Sequence, residues 1–470
     1  MLLHNAESIA KSIVVKLVNS GHEAYYAGGF VRDMILNFPA GNSPDIDVAT
    51  SARPEEIVKL FKNTKEVGVA FGVVLVIEKG NAFDVATFRS DGQYIDGRRP
   101  ENVKFVSAKE DALRRDFTIN GMFYNPVSKT IIDFVDGQND LQKKIIRTIG
   151  QPQERFCEDY LRMLRAIRFS SRFNFEIEEK TLLAIKNLSK NITKVSAERI
   201  CKELTLSFCD APARTLKILD ETGLLPEILP EISSLRGVEQ PPEFHPEGDC
   251  FTHTLLAMEY LEDLIEKFIE NPKTLREDQI NVLSDNHKRS VLVWSVLLHD
   301  IGKPSTMTFE DRIRFNRHDE KSEEMTYEIA KRLKMSSSQT KDICACVRNH
   351  MKFMFVQKMR VSKLKTFMGR ETIDVEIILH EADCFASHGM MDNAEFLLRK
   401  LAETPPQEIK PVPIVRGDDL IALGFVQGKK LGDVLREIYE NQLDGIFNNK
   451  EEAIEFAKKQ LLQECEVNCV

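Results

Sequence analysis

No stretch of this sequence is apolar for long enough to cross a bilayer. Val291–Leu298 is apolar, but it falls far short of the roughly 20 residues a spanning helix needs. The opening residues, Met1-Leu2-Leu3-His4-Asn5, lack the basic start and apolar core of a secretory signal, so the expected location is cytoplasmic. The nine cysteines contain no Cys-x-x-Cys pair, and in a chain of this length they make no disulfide framework. Cys344 and Cys346 have the wrong spacing for a structural zinc knuckle and sit in a helical pattern, so buried or half-buried thiols are expected. Positive charge is not in excess. A net charge of −9 argues against broad, non-specific nucleic-acid binding, but leaves room for a local basic stripe that grips a phosphate backbone. Internal repeats and long low-complexity segments are also missing. What is present is 470 residues, 42% hydrophobic and 29% charged: a soluble globular composition with length for two to four domains.

Ile9, Ile13, Leu17 and Val18 recur at helical spacing and Gly21 stops them. Glu23–Ala27 reads as a strand, Gly28-Gly29 breaks it, and a helix follows at Phe30–Leu36. A second strand is expected at Ile46–Ala49, then a helix with Thr50 or Ser51 as N-cap and Pro54 in its first turn. Val73–Ile77 and Ala82–Phe88 look like paired strands turning at Gly80-Asn81, and Ile131–Val135 and Ile145–Ile149 continue the pattern. After Gln151 almost everything is helical by periodicity. Proline-rich loops at Val238–Asp249 and Glu403–Val415 look like boundaries. A basic stripe, Lys143, Lys144, Arg147, Arg155, Arg162, Arg165, Arg168 and Arg172, falls within one short span.

Gly28-Gly29-Phe30-Val31-Arg32-Asp33 sits at a strand-to-helix turn. Paired glycines let backbone approach a ligand, the helix start offers free N–H groups to an anion, and Arg32 can reach the same phosphate. P-loop and dinucleotide-fold glycine spacings are absent. Asp45 and Asp47 follow on the next strand, where alternation puts both carboxylates on one face. Two adjacent carboxylates repel unless a cation joins them, which suits Mg²⁺. Asp84, in an apolar strand, adds a third, and an unpartnered aspartate there would be costly.

This Gly-Gly-x-Val-Arg-Asp turn followed by an Asp-x-Asp strand resembles the head domain of the DNA polymerase beta superfamily. Arg114-Arg115-Asp116-Phe117-Thr118 and Glu158-Asp159-Tyr160-Leu161-Arg162-Met163-Leu164-Arg165 resemble motifs of its poly(A) polymerase/tRNA nucleotidyltransferase branch, class II. The resemblance implies an α+β fold: a polymerase-beta-like mixed α/β head, then an all-α neck, body, further domain and tail. It implies template-independent addition of CCA to the 3′ end of tRNA, with CTP, ATP and tRNA as partners, no membrane and no obligate protein partner. Asp45, Asp47 and Asp84 would be catalytic and bind Mg²⁺. Gly28, Gly29, Arg32, Arg115, Asp116, Asn120, Arg165 and Arg168 would bind nucleotide. Asp159 and Arg162, three apart on an expected helix, would read the edge of cytosine or adenine, with Glu158 steadying the turn.

Phe88–Pro100, with its glycines and charges, resembles the flexible loop of CCA-adding members. The poly(A) branch usually carries arginines before the third carboxylate, and Val67–Val73 has none, so CCA addition is favoured over A-only or poly(A) synthesis. Asp84 departs from the glutamate common at that position in the family it resembles, and its side chain is one methylene shorter.

His253, then His299-Asp300, then Asp383 follow the order of HD-domain phosphohydrolases. Two imidazoles and two carboxylates can hold a divalent cation, a transition metal or Mg²⁺, with open positions for water and phosphate. Lys303 follows closely, and His318 and His350 are further candidates to orient substrate or help bind metal. Ser196-Ala197-Glu198-Arg199-Ile200 through Glu203-Leu204 resembles a motif bracing the nucleotide helix. The tail, with Lys429 and Lys430, resembles the segment that meets the tRNA elbow, where shape and backbone are read. The expected domains are head 1–150, neck and body 151–240, HD domain 241–402 and tail 403–470. The rival from another class is an HD phosphohydrolase with an RNA-binding head.

Overall fold

The computed structural model describes residues 2–38, 45–65, 72–91 and 103–467. They form two compact units, Met1–Ser233 with Arg332–Lys334, and Ser234–Lys331 with Met335–Val470.

In the first unit, α1 (Leu2–Asn19) buries Ile9, Ile13 and Leu17 on one stripe. Each such side chain contributes about 1.5–3 kcal/mol of burial. After it come β1 (Ala24–Ala27), α2 (Gly29–Ile35), β2 (Asp47–Thr50) and α3 (Pro54–Leu60). The N-cap of α3 is Arg53, not Thr50 or Ser51, and the Glu56 carboxylate accepts from the Arg53 amide at 2.7 Å. Thr50 and Ser51 commit their hydroxyls elsewhere: Thr50 Oγ1 donates to the Glu23 carbonyl at 2.6 Å, and Ser51 Oγ accepts from the Glu23 amide at 2.9 Å.

Next are β3 (Thr64–Lys65), β4 (Val73–Glu78) and β5 (Asn81–Thr87). Lys79 and Gly80, at φ 49° and 79°, make the β4–β5 turn, so Asn81 already pairs with Glu78. A small ladder, β6 (Arg89–Asp91) and β7 (Val103–Phe105), precedes α4 (Ala108–Leu113), then β8 (Phe123–Asn125) and β9 (Thr130–Ile132). The last strand ends earlier than expected because the Asp133 carboxylate accepts from the amides of Val135, Gly137 and Gln138 and turns the chain. The sheet order is β3-β4-β5-β2-β1-β8-β9, with β2 and β5 parallel and the other pairs antiparallel.

After α5 (Gly137–Lys143), β10 (Ile145–Ile146) stops short of Ile149 and pairs in parallel with β11 (Glu176–Ile177), beyond α6 (Pro152–Glu158) and α7 (Leu161–Phe173). The expected continuous helix through Glu158–Arg165 is therefore two helices. Asp159, at φ −154° and ψ 105°, is extended and separates them. Then come α8 (Glu179–Leu188) and α9 (Ala197–Asp210), which packs along α7.

The second unit is helical apart from one hairpin, Met307–Phe309 with Ile313–Phe315, which periodicity missed. Helices Cys250–Glu270, Asn286–Leu298, Ser337–Asn349 and Ile373–Ala386 surround its core. The expected loop at Glu403–Val415 contains a short helix, Pro406–Ile409. Val415, Leu420, Phe425, Val434, Ile438, Ala453 and Ala457 form a separate cluster under the last three helices. The seven cysteines with described side chains are free thiols, and Cys344 and Cys346 are buried as expected.

Candidate active site and metal centre

Ala27 pairs with Asp47 across β1 and β2, and Val48 pairs with Val85 across β2 and β5. One step back in that parallel register brings Asp47 beside Asp84, where the Gly28-Gly29 turn begins. Gly28 has φ 67°, a conformation that favours glycine, and a Cβ there would lie 3.3 Å from Arg115 Nη1 and 3.8 Å from Asp47 Oδ2, close against both side chains. Asp45 and Asp47 are both exposed, with Ile46 buried between them, as alternation requires. Although its surface reaches solvent, the protein atoms packed around Asp47 desolvate its carboxylate, and with the charges of Asp45 and Asp84 this pushes it up to about 6, against the pull of Arg115. Asp84 is also raised, by partial desolvation and by Asp45.

The cost expected for an unpartnered Asp84 in an apolar strand does not come from burial. Phe83, Val85 and Thr87 take the buried face of β5, and Asp84 faces out. What strains the trio is like charge at close quarters, and an oxygen-only donor set suits a hard divalent cation.

Behind these carboxylates the arginines are paired in a lattice rather than displayed as a stripe. Arg32, 4% exposed, donates to Asp33 Oδ1 at 2.8 Å and to Asn120 Oδ1 at 2.7 Å, and lies over the Phe173 ring. Asn120 donates in turn to Asp116 Oδ1 at 3.2 Å. Arg115 pairs with Asp111 and donates to the Asn120 carbonyl. Arg165 grips Asp116 Oδ2 at 2.6 Å, and although burial alone would raise the Asp116 pKa, that guanidinium holds it at about 2. Arg168 pairs with Glu203 at 3.0 Å, Arg172 approaches Asp33, Arg147 pairs with Asp140 and Glu178, and Arg155 with Glu158. Each of these partly buried or exposed guanidiniums has a carboxylate within reach, so they are not a free basic surface.

Arg199 of α9 holds Asp159 through both nitrogens, at 3.2 and 2.6 Å, while Arg162 bonds Glu158 and the Arg155 carbonyl. Both flank the α6–α7 break, and Glu158 does brace it.

In the second unit His253, His299, Asp300 and Asp383 converge. His253 Nε2 lies 3.3 Å from His299 Nε2, 3.2 Å from Asp383 Oδ1 and 3.8 Å from Asp300 Oδ2. His299 Nδ1 donates to the Val296 carbonyl at 2.8 Å, which turns its Nε2 lone pair inward. Glu247 lies 2.7 Å from His253 Nδ1 and orients that ring. Burial disfavours charge on His253, but Asp383 and Glu247 outweigh it and lift the pKa to about 9, so a positive charge is favoured between them. Lys303 Nζ lies 2.6 Å from Asp300 Oδ2 and donates to Gln240 Oε1 at 2.7 Å. His318 and His350 stand on the other side of Asp300.

Residues 24–147 match the Poly A polymerase head domain, 174–235 the Probable RNA and SrmB- binding site of polymerase A, and 250–387 the HD domain. A CCA-adding enzyme of Enterococcus faecalis is 32% identical over 451 residues, 95% of each chain. The chain belongs to the CCA-adding enzyme family. A Pediococcus pentosaceus member is 48% identical over 195 residues, spanning 41% of this chain and 48% of that relative. The crystal structure of the Bacillus stearothermophilus CCA-adding enzyme in complex with CTP superposes with a TM-score of 0.69 at 26% identity, covering 98% of this chain and 99% of that one. A Thermotoga maritima CCA-adding enzyme complexed with tRNA shares the fold, at 22% identity and a TM-score of 0.57 over 97% and 95%. Family membership makes this chain a nucleotidyltransferase with a mixed α/β head and a helical remainder, and the family's activity is CCA addition to tRNA.

Several contributors escaped the sequence reading. Asp111, 1% exposed, anchors both Arg114 and Arg115, and its position four residues before Arg115 was the available signal. His245, Glu247 and Gln240 sit in the loop taken as a domain boundary, and a His-x-Glu just ahead of His253 could have marked them. Gly92–Pro100 of the expected flexible loop and Val67–Phe71 lie outside the described residues.

Proposed function

We propose that Asp45, Asp47 and Asp84 are the catalytic carboxylates for addition of C, C and A to tRNA, with CTP and ATP as donors and Mg²⁺ as the cation they hold. The observation that carries this is the register that sets Asp47 beside Asp84 at the Gly28-Gly29 turn, with Asp47 pushed up by desolvation and by its acidic neighbours. Mg²⁺ bound there supplies charge stabilisation for the attacking hydroxyl and the departing pyrophosphate. The bond from the tRNA 3′-oxygen to the α-phosphorus forms as the bond to pyrophosphate breaks. Gly28 and Gly29 let the triphosphate approach the backbone, while Arg32, Arg115, Asp116, Asn120, Arg165 and Arg168 form the lattice that positions it. Asp159, held by Arg199, accepts from the exocyclic amine of cytosine or adenine, and Arg162 donates to the ring edge. No described helix is long and apolar enough to cross a membrane, and a cytoplasmic setting fits the tRNA substrate.

Three transcripts test this: tRNA lacking CCA, tRNA ending in CC, and unstructured RNA, each with Mg²⁺ and labelled CTP or ATP. Two C and one A on the first, then a stop, is the expected result. Long A tails on the unstructured RNA would move the chain to poly(A) synthesis, and A on the CC-ended tRNA alone would make it an A-adding enzyme.

A second reading concerns the HD domain. The ligating atoms of His253, His299 and Asp383 lie within 4.8 Å of one another with Asp300 beside both histidines, which supports a metal-dependent phosphoester hydrolase centre, and its imidazoles suit a transition metal better than Mg²⁺. Release of phosphate from a phosphomonoester in Mn²⁺, abolished by Asp383→Ala, is the expected outcome, and no hydrolysis in any divalent metal would contradict it.

A further inference from the structure

The break between α6 and α7 holds a residue that neither capping nor core packing explains. Tyr160 stands at the N-cap of α7, a position that favours short polar side chains able to accept from the helix amides. Its side chain makes no such bond. Asp159 does that work instead, its Oδ1 accepting from the Leu161 amide at 3.1 Å. Tyr160 is not core either: Leu161, Met163 and Leu164 are buried, while Tyr160 is half-buried. Its hydroxyl bonds the thiol of Cys157, three residues back in α6, which fixes where the ring stands.

Lys194, at the end of the 3₁₀ turn Ser189–Lys194, lays its ammonium over that ring, 5.3 Å from the centre. Lys194 is exposed and, among the described residues, pairs with no carboxylate. That sets it apart from Arg155, Arg162, Arg165, Arg168 and Arg199 around the same break, each of which holds one. An accessible aromatic ring beside an unpaired cation suits a single RNA strand: a base stacks on the ring and its phosphate meets the cation. Stacking of a base on an aromatic ring outweighs an exposed cation–π contact, so an arriving base displaces the ammonium from the ring toward the phosphate.

We infer that Tyr160 and Lys194 seat the 3′-terminal nucleotide of the tRNA, its base on the phenol ring and its phosphate on the ammonium. This rests on the reading of Asp159 and Arg162 as the groups that select the incoming base. Two nucleotides meet at this site, and their phosphates decide which one the ring takes. Those of the incoming nucleotide belong to the arginine lattice around Asp116 and to the carboxylates of the head, so the phosphate left for Lys194 is the RNA's. Tyr160 adjoins Asp159 in the chain, so a base on its ring lies next to the base being selected, which is where the attacking 3′-hydroxyl has to be held. A stacking seat accepts any base, as a 3′ end that changes with every addition requires.

Separate KM values for RNA and nucleotide test this. Full-length wild type, Tyr160→Ala, Tyr160→Phe and Lys194→Ala are assayed with tRNA lacking CCA and CTP, each varied in turn. Tyr160→Ala should raise KM for tRNA about tenfold and leave KM for CTP within about twofold. Tyr160→Phe keeps the ring and should stay within about threefold of wild type on both. Lys194→Ala should raise KM for tRNA by a smaller factor and lower its salt dependence by about one phosphate contact. A rise in KM for CTP instead of tRNA would give the ring to the incoming nucleotide, and no change in either KM, whatever happens to kcat, would remove it from the RNA seat; both results overturn the inference. Absence of any addition by the wild type would instead sink the reading beneath it. Lys194 is exposed, so its variant carries the test alone if Tyr160→Ala does not fold, and an unchanged KM and salt dependence for tRNA there would overturn the seat.

Discussion

The head and the HD domain both gather carboxylates, yet they solve opposite problems. In the head, Asp45, Asp47 and Asp84 lie exposed along neighbouring strands with nothing but oxygen to offer. Their order comes from sheet register, and the paired arginines sit behind them. In the HD domain, His253, His299, Asp300, His318 and His350 are buried and Asp383 is half-buried, and the inward nitrogen of each histidine is set by what its other nitrogen touches: Glu247 for His253, and backbone carbonyls for His299, His318 and His350. An open acidic edge suits a hard cation that arrives with a nucleotide and leaves with pyrophosphate. A buried imidazole cage suits a resident metal.

The largest effect that could break this contrast is at the open edge. Asp45→Ala with Asp47→Ala should lower nucleotide addition by about 10³-fold or more, since metal stabilisation of the transferring phosphoryl group is worth several kcal/mol. Tightly bound HD metal should stay unchanged in the same protein, as checked by elemental analysis. In the cage, Glu247→Gln keeps an acceptor but removes the negative charge beside His253 and His245, and metal affinity measured by chelator competition should weaken by about 10–100-fold. Unchanged affinity would remove Glu247 from the design.

Arg199→Ala frees Asp159 without touching either metal site. Discrimination of CTP and ATP against UTP and GTP should relax by about tenfold, read as relative kcat/KM, because the carboxylate no longer has a fixed orientation. Smaller still are two effects on stability. Asp116 has a folded pKa of about 2, below its unfolded value near 3.8, so its contribution is complete above about pH 4 and fades as pH falls toward 2. Asp116→Asn should flatten that acid limb, removing about 2 kcal/mol at neutral pH. Asp47 is the reverse case. Its raised pKa is a penalty present above about pH 6 and relieved on acidification, so Asp47→Asn should raise the Tm of chelated protein at pH 8 and converge with wild type near pH 4.

How much was legible in sequence follows the same division. Strand alternation placed Asp45, Asp47 and the Gly28-Gly29 turn, because period two and a positive-φ glycine leave direct traces. Helical periodicity did not reveal that Asp159 interrupts α6 and α7, since nothing in Glu158–Arg165 breaks a helix by composition. The stripe of arginines misled for a tertiary reason: their partners Asp33, Asp116, Glu178 and Glu203 are distant in sequence, so the charges could not be seen to cancel. Likewise His245, Glu247 and Gln240 looked like boundary loop because a loop that folds over a buried centre carries no period of its own.

The central claim, two chemically independent centres in one chain, is tested most directly by a crossed assay. Protein with Asp45→Ala and Asp47→Ala and protein with His253→Ala and Asp383→Ala would each be measured for CMP addition to tRNA lacking CCA and for tightly bound metal. The account predicts that the first loses addition and keeps its metal, and that the second keeps addition within about twofold and loses its metal. Loss of both properties in either protein, with folding intact by circular dichroism, would contradict it.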